Sequence, residues 1–143
     1  MKSNITSFNG INRLNHLDLL KSFNIPKDKL IICGSAILVV DGHINKNEDL
    51  DCVVSNDIFR KLKQNPSLIF NDKKGCYETI NGEIEFLNKF NVLNLSFDDL
   101  RKDAIKIDGY LFMSYNHLLQ LYQKLNRPKD QFKIKLVKKI LGM

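Results

Sequence analysis

The chain has 143 residues, a hydrophobic share of 43% and a charged share of 27%. These values are typical of one folded domain and exclude a disordered chain. The longest apolar runs, Leu30–Cys33 and Ala36–Val40, are far shorter than the roughly 20 residues that cross a bilayer, so we expect no membrane partner. The polar residues 1–9 lack a secretion signal. We therefore expect a single domain over residues 1–143, located in the cytoplasm.

The positive charge is unevenly distributed along the chain. Lys and Arg number 22 against 16 Asp and Glu, which gives a net charge of +6. Near the C-terminus, seven basic residues face only one acid, Asp130; they are Lys124, Arg127, Lys129, Lys133, Lys135, Lys138 and Lys139. Such a basic helix favours polyanions, either nucleotide phosphates or nucleic acid, but it is equally typical of a surface that keeps a protein soluble.

Hydrophobic spacing predicts the first elements in chain order. Apolar residues at helical intervals predict a helix over 11–23, which Pro26 closes. The continuous apolar run 30–33 predicts a buried strand, and Gly34-Ser35 then turns the chain into a short helix running from Ser35 toward Val40. Residues 50–54 predict a second strand.

The second half of the sequence alternates between strand and helix signals. A helix capped by Ser55 or Asn56 and ended by Pro66 precedes strands over 68–70, 76–80 and 83–87. Ser96 and Asp99 have the spacing of a capping box, which predicts a short helix through Lys102. An Asp108-Gly109 turn predicts a hairpin between 104–107 and 110–112.

Two helices are predicted to finish the chain. Ser114 caps the first helix, and Pro128 begins the second. The predicted apolar side of the first consists of Leu118, Leu119, Leu121, Tyr122 and Leu125. The predicted buried residues of the second are Phe132, Leu136, Val137, Ile140 and Leu141. The complete order indicates an α+β fold in which a mixed α/β sheet is flanked by helices and a C-terminal helical pair closes the chain.

Two carboxylates, Asp49 and Asp51, are predicted on the same face at the start of the second strand. Like charges so close together repel one another, and a divalent cation relieves that repulsion. Carboxylate oxygens are ligands that Mg²⁺ prefers, and Mn²⁺ uses similar ligands. Glu83 and Glu85 face one way on a later strand, and Glu85 lies deeper in the apolar run. The sequence therefore predicts a metal site of Asp49, Asp51 and Glu85.

The Gly34-Ser35 turn is a candidate phosphate site. A strand that ends there and opens a helix presents free backbone N–H groups and a positive dipole end. Gly34 has no Cβ to obstruct a phosphate, and the Ser35 hydroxyl can donate a hydrogen bond while also capping the helix. Alone, a Gly-Ser pair is often only a turn and an Asp-x-Asp pair only a solvated strand edge. Their order on consecutive strands favours nucleotidyl or phosphoryl transfer.

The run from Cys33 through Gly34-Ser35 to Leu38, followed by Asp49-Leu50-Asp51, resembles the nucleotidyltransferase superfamily related to DNA polymerase β. It is most similar to the small bacterial and phage branch that includes the abortive-infection AbiEii-type toxins. Lys124 and Arg127-Pro128-Lys129-Asp130 resemble the closing pattern of that branch. Cys33 replaces the usual first glycine, Glu85 replaces the more frequent Asp, and we expect no separate acceptor-binding domain in a chain of this length.

This resemblance implies a nucleotidyltransferase-like fold with a role in toxin–antitoxin systems or phage defence. It implies that Gly34 and Ser35 bind the phosphates of an NTP. Asp49, Asp51 and Glu85 would be the catalytic acids that hold Mg²⁺, and Glu85 would help to activate the acceptor hydroxyl. Lys124 and Arg127 would contact nucleotide phosphates; alternatively, the Arg127–Asp130 stretch only joins two helices.

Three functions are consistent with these residues. The first is Mg²⁺-dependent transfer of a nucleoside monophosphate from an NTP to a hydroxyl of a small molecule, RNA or protein. The second is a catalytically inactive binding protein with the same fold, serving as a nucleotide sensor, an antitoxin-like partner or a mobile-element accessory factor. The third is nucleic-acid binding by the basic C-terminal helix, with the acid pair incidental.

Overall fold

The computed structural model describes residues 10–143 and has the predicted mixed α+β architecture. Its six α-helices are α1 (Leu17–Ser22), α2 (Ala36–Val40), α3 (Asn56–Leu62), α4 (Phe97–Lys102), α5 (Tyr115–Leu125) and α6 (Gln131–Ile140). Its nine strands are β1 (Leu30–Cys33), β2 (Leu50–Val54), β3 (Leu68–Asn71), β4 (Cys76–Thr79), β5 (Ile84–Leu87), β6 (Lys89–Phe90), β7 (Leu95–Ser96), β8 (Ile105–Ile107) and β9 (Tyr110–Phe112). Short 3₁₀ turns cover Lys27–Lys29 and Pro128–Asp130.

Seven strands form one mixed sheet in the order β3-β4-β5-β2-β1-β9-β8, and β6 pairs with β7 in a second, two-stranded sheet. Strand β2 lies at the centre, antiparallel to β1 and parallel to β5. Its residue Asp51 is directly opposite Cys33 on one side and Glu85 on the other. The C-terminal end of β1 and the N-terminal ends of β2 and β5 therefore meet at the same edge of the sheet.

Helices cover both faces of the central strands, which explains why β1 is buried throughout. On one face, Phe23 just after α1 packs edge-on against Phe86 of β5, with ring centroids 5.1 Å apart. On the other, α5 contributes the buried side chains Leu121 and Tyr122. Within the described residues, no helix is both long enough and apolar enough to cross a membrane. Residues 1–9, for which the sequence predicts no secretion signal, lie outside this range.

Several local predictions are confirmed. Ser96 and Asp99 form the expected capping box, with Asp99 N donating to Ser96 Oγ at 3.1 Å and Ser96 N donating to Asp99 Oδ2 at 3.0 Å. The β8–β9 hairpin turns through Asp108 and Gly109, whose φ angles of 51° and 81° are those of the hairpin turn that Asp-Gly favours. The strands over 30–33 and 50–54 have the predicted bounds.

The prediction of one helix over 11–23 is wrong, because residues 12–16 form turns and a bend and α1 begins only at Leu17. The backbone N–H of Asn15 donates to Asn47 Oδ1 at 2.9 Å, so this group is used in a tertiary contact. His16 then adopts the left-handed conformation, with φ of 70°, which interrupts a helix. The apolar residues keep helical spacing through residues 12–16, so their pattern did not reveal that the helix is interrupted where Asn15 bonds to Asn47.

The predicted burial of α6 is also partly wrong. Val137 is fully buried, but Phe132 is 64% exposed, and Leu136, Ile140 and Leu141 are only partly buried. The β6–β7 pair was not predicted, since each strand has only two residues and leaves little pattern to read. Its turn contains Asn94 in the left-handed conformation.

The connection between α5 and α6 is held by an ion pair between Arg127 and Asp130. Asp130 is fully buried and accepts three hydrogen bonds from Arg127: from the backbone N at 3.0 Å, Nε at 2.8 Å and an Nη at 2.9 Å. Hydrogen bonds to the charged carboxylate lower the pKa of Asp130 below its ordinary value of 3.8. The Arg-Pro-Lys-Asp stretch thus fixes how the two terminal helices meet.

We predict that Asp130→Asn lowers the free energy of unfolding by about 1.5–3 kcal/mol at pH 7, because hydrogen bonds to a charged acceptor are lost. The depressed pKa means that this contribution is present above about pH 4 and is lost as the pH falls below it. Urea denaturation at pH 7 and pH 3 should therefore show a difference between variant and wild type that shrinks at pH 3. The exposed Asp28→Asn is the control, and an equal loss there would contradict the assignment.

Candidate functional site

A cavity of about 730 Å³ opens at the sheet edge where β1 ends and β2 and β5 begin. The turn after β1, the acids at the start of β2 and in β5, the β3–β4 turn and the C-terminal helices all line it. The polar and charged lining residues are Gly34, Ser35, Glu48, Asp49, Asp51, Lys73, Lys74, Glu85, Asn91, Tyr122, Arg127, Lys129 and Lys133. The structure therefore brings the predicted turn and the three predicted acids to one place.

Sheet register sets the geometry of the three acids. Asp51 and Glu85 are paired on neighbouring parallel strands, so their side chains leave the same face, and Asp49 lies two residues before Asp51. One carboxylate oxygen from each residue lies within 4.8 Å of the others. Asp49 is exposed, and Asp51 and Glu85 are partly buried. Glu83 is not part of this group, because it accepts a hydrogen bond from Thr79 Oγ1 at 2.8 Å.

The electrostatics of the acids show what a ligand must supply. Burial, together with the charges of Asp49 and Glu85, raises the pKa of Asp51 to about 7, although Lys74 opposes the rise. Lys74 Nζ lies 3.0 Å from Glu85 Oε2 and is the closest cation to the group. Three carboxylates around one point fit a hard divalent cation, which removes their mutual repulsion. This donor set suits both Mg²⁺ and Mn²⁺.

Asn47 positions the segment that carries Asp49, a role that the sequence did not reveal. It is 2% exposed, its Oδ1 accepts from Asn15 N at 2.9 Å, and its Nδ2 donates to Asn15 O at 3.3 Å and to Asp49 O at 3.2 Å. The Asn15 side chain donates to Asn47 O at 2.6 Å. This clasp fixes the backbone directly before β2, although the sequence shows only one polar residue among several in a loop.

The Gly34-Ser35 turn is open toward the cavity. Gly34 has a φ of 73°, and no atom lies within 4 Å of where its Cβ would stand, so the backbone can be approached closely. The predicted capping by Ser35 is wrong, since its side chain makes no cap hydrogen bond. Ser35 itself has helical angles, whereas a capping side chain requires a non-helical residue at that position. Its hydroxyl is therefore available to another partner.

Tyr122 adds a polar group that the sequence assigned only to the apolar side of a helix. The residue is 3% exposed, and its hydroxyl has no hydrogen-bond partner among the described residues. Burial raises the pKa of Tyr122, and the Ser35 hydroxyl is near enough to oppose that rise, although the two groups do not have the geometry of a hydrogen bond. Buried hydroxyls without a partner are uncommon, so this one indicates a place for a ligand oxygen beside the turn.

The basic residues divide into those that face the cavity and those that do not. Lys129 and Lys133 line it, and Lys133 Nζ lies 5.5 Å from the centre of the Tyr122 ring. Arg127 also lines it, although Asp130 holds its guanidinium. Lys124 is exposed on α5 and does not line the cavity. Lys73 and Lys74 reach it from the β3–β4 turn, and no spacing along the sequence related them to the acids.

Comparison of the chain with protein-family models, with curated proteins and with solved structures found no match. The chemistry of the cavity is therefore the basis for assigning a function. Its sheet side concentrates carboxylates, which suit a metal ion. Its turn and helical side offer an open glycine backbone, two hydroxyls and several cations, which suit phosphate oxygens. A ligand that carries both a metal ion and phosphates satisfies both sides.

We predict that Asn47→Ala lowers the affinity for Mn²⁺ about tenfold, because Asp49 loses the contact that fixes its backbone. The same change should lower the free energy of unfolding by about 2–3 kcal/mol through lost buried hydrogen bonds. Isothermal titration calorimetry measures the affinity for Mn²⁺, and urea denaturation measures the free energy of unfolding. Asn45→Ala, at an exposed position in the same loop, is the matched control. Unchanged metal affinity in Asn47→Ala would show that the clasp does not position the ligand.

We predict that Asp51→Asn stabilises the metal-free protein. Because the folded pKa of Asp51, about 7, exceeds its ordinary value of 3.8, ionisation of this group opposes folding as the pH rises between those values. In EDTA at pH 8 the variant should be more stable by about 1–3 kcal/mol, and the difference should shrink toward pH 5. Glu48→Gln removes an exposed charge at the same cavity and should change stability by less than about 0.5 kcal/mol. A destabilised Asp51→Asn at pH 8 would contradict this reading.

Proposed function

We propose that this chain is a metal-dependent nucleotidyltransferase that moves a nucleoside monophosphate from an NTP to a hydroxyl group. The observation that carries the proposal is the meeting of Asp49, Asp51 and Glu85 with the open Gly34-Ser35 turn in one cavity. The volume of about 730 Å³ lies in the range of small-molecule sites and accommodates a nucleoside triphosphate.

Each side of the cavity has a distinct task in the proposed reaction. Asp49, Asp51 and Glu85 would hold Mg²⁺ or Mn²⁺. When bound, such a metal ion polarises phosphoryl oxygens and offsets the charge that develops on them. The Gly34 backbone and the Ser35 hydroxyl bind phosphate oxygens, and the unpartnered Tyr122 hydroxyl donates a further hydrogen bond. Lys129 and Lys133 neutralise the phosphate charge from the helical side.

The covalent step exchanges one P–O bond for another. The acceptor oxygen forms a bond to the α-phosphorus, and the bond from that phosphorus to the bridging oxygen of the β-phosphate breaks, which releases pyrophosphate. Glu85 accepts the proton of the attacking hydroxyl. Its side chain lines the cavity and is 16% exposed, so the acceptor hydroxyl can reach the carboxylate.

A second candidate is a nucleotide-binding protein without turnover, and the Lys74–Glu85 ion pair favours it. Lys74 Nζ at 3.0 Å already neutralises the acid that would accept the proton. In that case the turn, Tyr122 and the cavity lysines would still bind phosphates. Such a protein would serve as a nucleotide sensor, an antitoxin-like partner or a mobile-element accessory factor.

Incubation with each NTP, Mg²⁺ and candidate acceptors tests the enzyme proposal. Label on the α-phosphate should appear on the acceptor, and label on the γ-phosphate should appear only in pyrophosphate. Asp49→Asn and Asp51→Asn should each lower the rate at least about a hundredfold, since each removes a charged metal ligand. Glu48→Gln, which lines the cavity outside the acid group, should retain activity. Full transfer by both Asp variants would refute the assignment.

Calorimetry with a non-hydrolysable NTP separates the second candidate from the first. Equal affinity with Mg²⁺ and with EDTA, together with no transfer to any acceptor, would favour binding without turnover. Affinity that depends on Mg²⁺ and is lost in Asp49→Asn supports the enzyme.

A further inference from the structure

The positive charge of the whole chain resides on its last two helices and the turn between them. The segment 124–139 holds seven of the 22 basic residues and one of the 16 acidic residues, so the rest of the chain carries 15 of each and is neutral. The single acid of the segment, Asp130, is buried against Arg127 and presents no negative charge at the surface. A dispersed solubilising charge would not be confined in this way.

Helix α6 continues this charge from the cavity to the outer surface. Lys129 and Lys133 line the cavity, and Val137, one turn beyond Lys133, is fully buried. On the side away from Val137, Phe132 lies on one exposed face with Lys135 and Lys139, which follow it at helical spacings of three and seven residues. A basic path thus leads out of the cavity and across α6.

Phe132 is the unusual residue on this path. Its side chain is 64% exposed, although a polar residue would be expected at an exposed position among charged residues. An exposed aromatic ring between lysines is the combination that binds unpaired nucleic acid: the lysines contact phosphates and the ring stacks on a base. A basic surface needed only for solubility has no use for this ring.

We propose that the exposed face of α6, comprising Phe132, Lys135 and Lys139, docks single-stranded RNA whose end enters the cavity past Lys129 and Lys133. A base of the RNA stacks on Phe132, and the flanking phosphates lie on the lysines. That the docked RNA is also the acceptor rests on the proposed function; the docking itself does not. The choice of RNA over single-stranded DNA also rests on that function, because only a terminal ribose presents both a 2′ and a 3′ hydroxyl.

Other occupants fit this surface less well. A duplex keeps its bases paired and stacked, so none is free to cover Phe132. A second copy of the chain, docked face to face, would bring two segments of like charge together. An acidic protein would pair with the lysines but leaves the exposed ring without a specific contact.

Fluorescence anisotropy with a labelled 12-nucleotide single-stranded RNA, in EDTA and without NTP, measures docking apart from any reaction. Phe132→Ala should weaken binding about 5- to 100-fold, as expected for the loss of one stacked base, and Phe132→Tyr should retain it. Lys135→Gln with Lys139→Gln should lower the slope of log affinity against log salt by about 1.4, since each lost phosphate contact removes about 0.7.

Matched variants outside the path control for general effects. Phe70→Ala removes another exposed aromatic ring, and Lys61→Gln with Lys63→Gln removes two exposed charges on and beside α3. All should bind RNA as wild type does. Equal binding by Phe132→Ala and wild type overturns the proposal, as does no binding of RNA at 50 mM salt.

Competitors test the choice of partner, and transfer assays separate this inference from the proposed function. Poly-glutamate, the same RNA as a duplex, or single-stranded DNA that competes as well as the RNA each overturns the assignment to single-stranded RNA. RNA binding that needs Phe132 without nucleotidyl transfer to any acceptor upholds the docking surface and refutes the enzyme. Nucleotidyl transfer to a small molecule without RNA binding would uphold the enzyme and refute the docking surface.

Discussion

The register of β2 between its two neighbours is the constraint on which the site depends. Antiparallel pairing places Asp51 opposite Cys33, and parallel pairing places it opposite Glu85. A slip of one residue would turn Asp51 toward the opposite face, where Cys52 and Phe86 are fully buried. The apolar residues of β2 therefore hold the carboxylate in place, because any other register would bury its charge among hydrocarbon. The burial of the apolar residues of β2 therefore determines both the packing of the core and the position of Asp51.

The same arrangement sets stability against function. Three acids within 4.8 Å repel one another, and burial together with the charges of Asp49 and Glu85 raises the pKa of Asp51. Lys74, which lies 3.0 Å from Glu85, offsets part of this repulsion, whereas the hydrogen bond from Asn47 holds the backbone of Asp49 in place despite it. Sites that hold a cation commonly keep such unfavourable charge, since the ligand supplies the compensation that folding alone does not. Asn47 thus ties the backbone of Asp49 to Asn15, 34 residues earlier in the chain.

Where local rules decide the conformation, the sequence was informative. The bounds of β1 and β2, the capping box at Ser96 and the Asp108-Gly109 turn follow from side-chain patterns over a few residues, and so does the juxtaposition of the Gly34 turn with Asp51. The break before α1 was not predictable, because it depends on Asn15 donating to a residue 32 positions away. Tyr122 read as an apolar helix residue, and only the fold shows its unpartnered hydroxyl beside Ser35. Phe132 was predicted to be buried because it fits the apolar helical spacing of α6, but its side chain faces solvent and not the core.

The compactness of the β1–α2–β2 unit has a consequence for how the site assembles. Cys33 and Asp51 pair across 18 residues, and Asp51 and Glu85 across 34. Doubling the length of a loop adds only about 0.6 kcal/mol to the entropy cost of closing it. Glu85 can therefore join soon after the turn and the first two acids meet. The lysines of α6 arrive from far later in the sequence, so the acidic half of the cavity can organise before the basic half covers it, and during synthesis it emerges from the ribosome first.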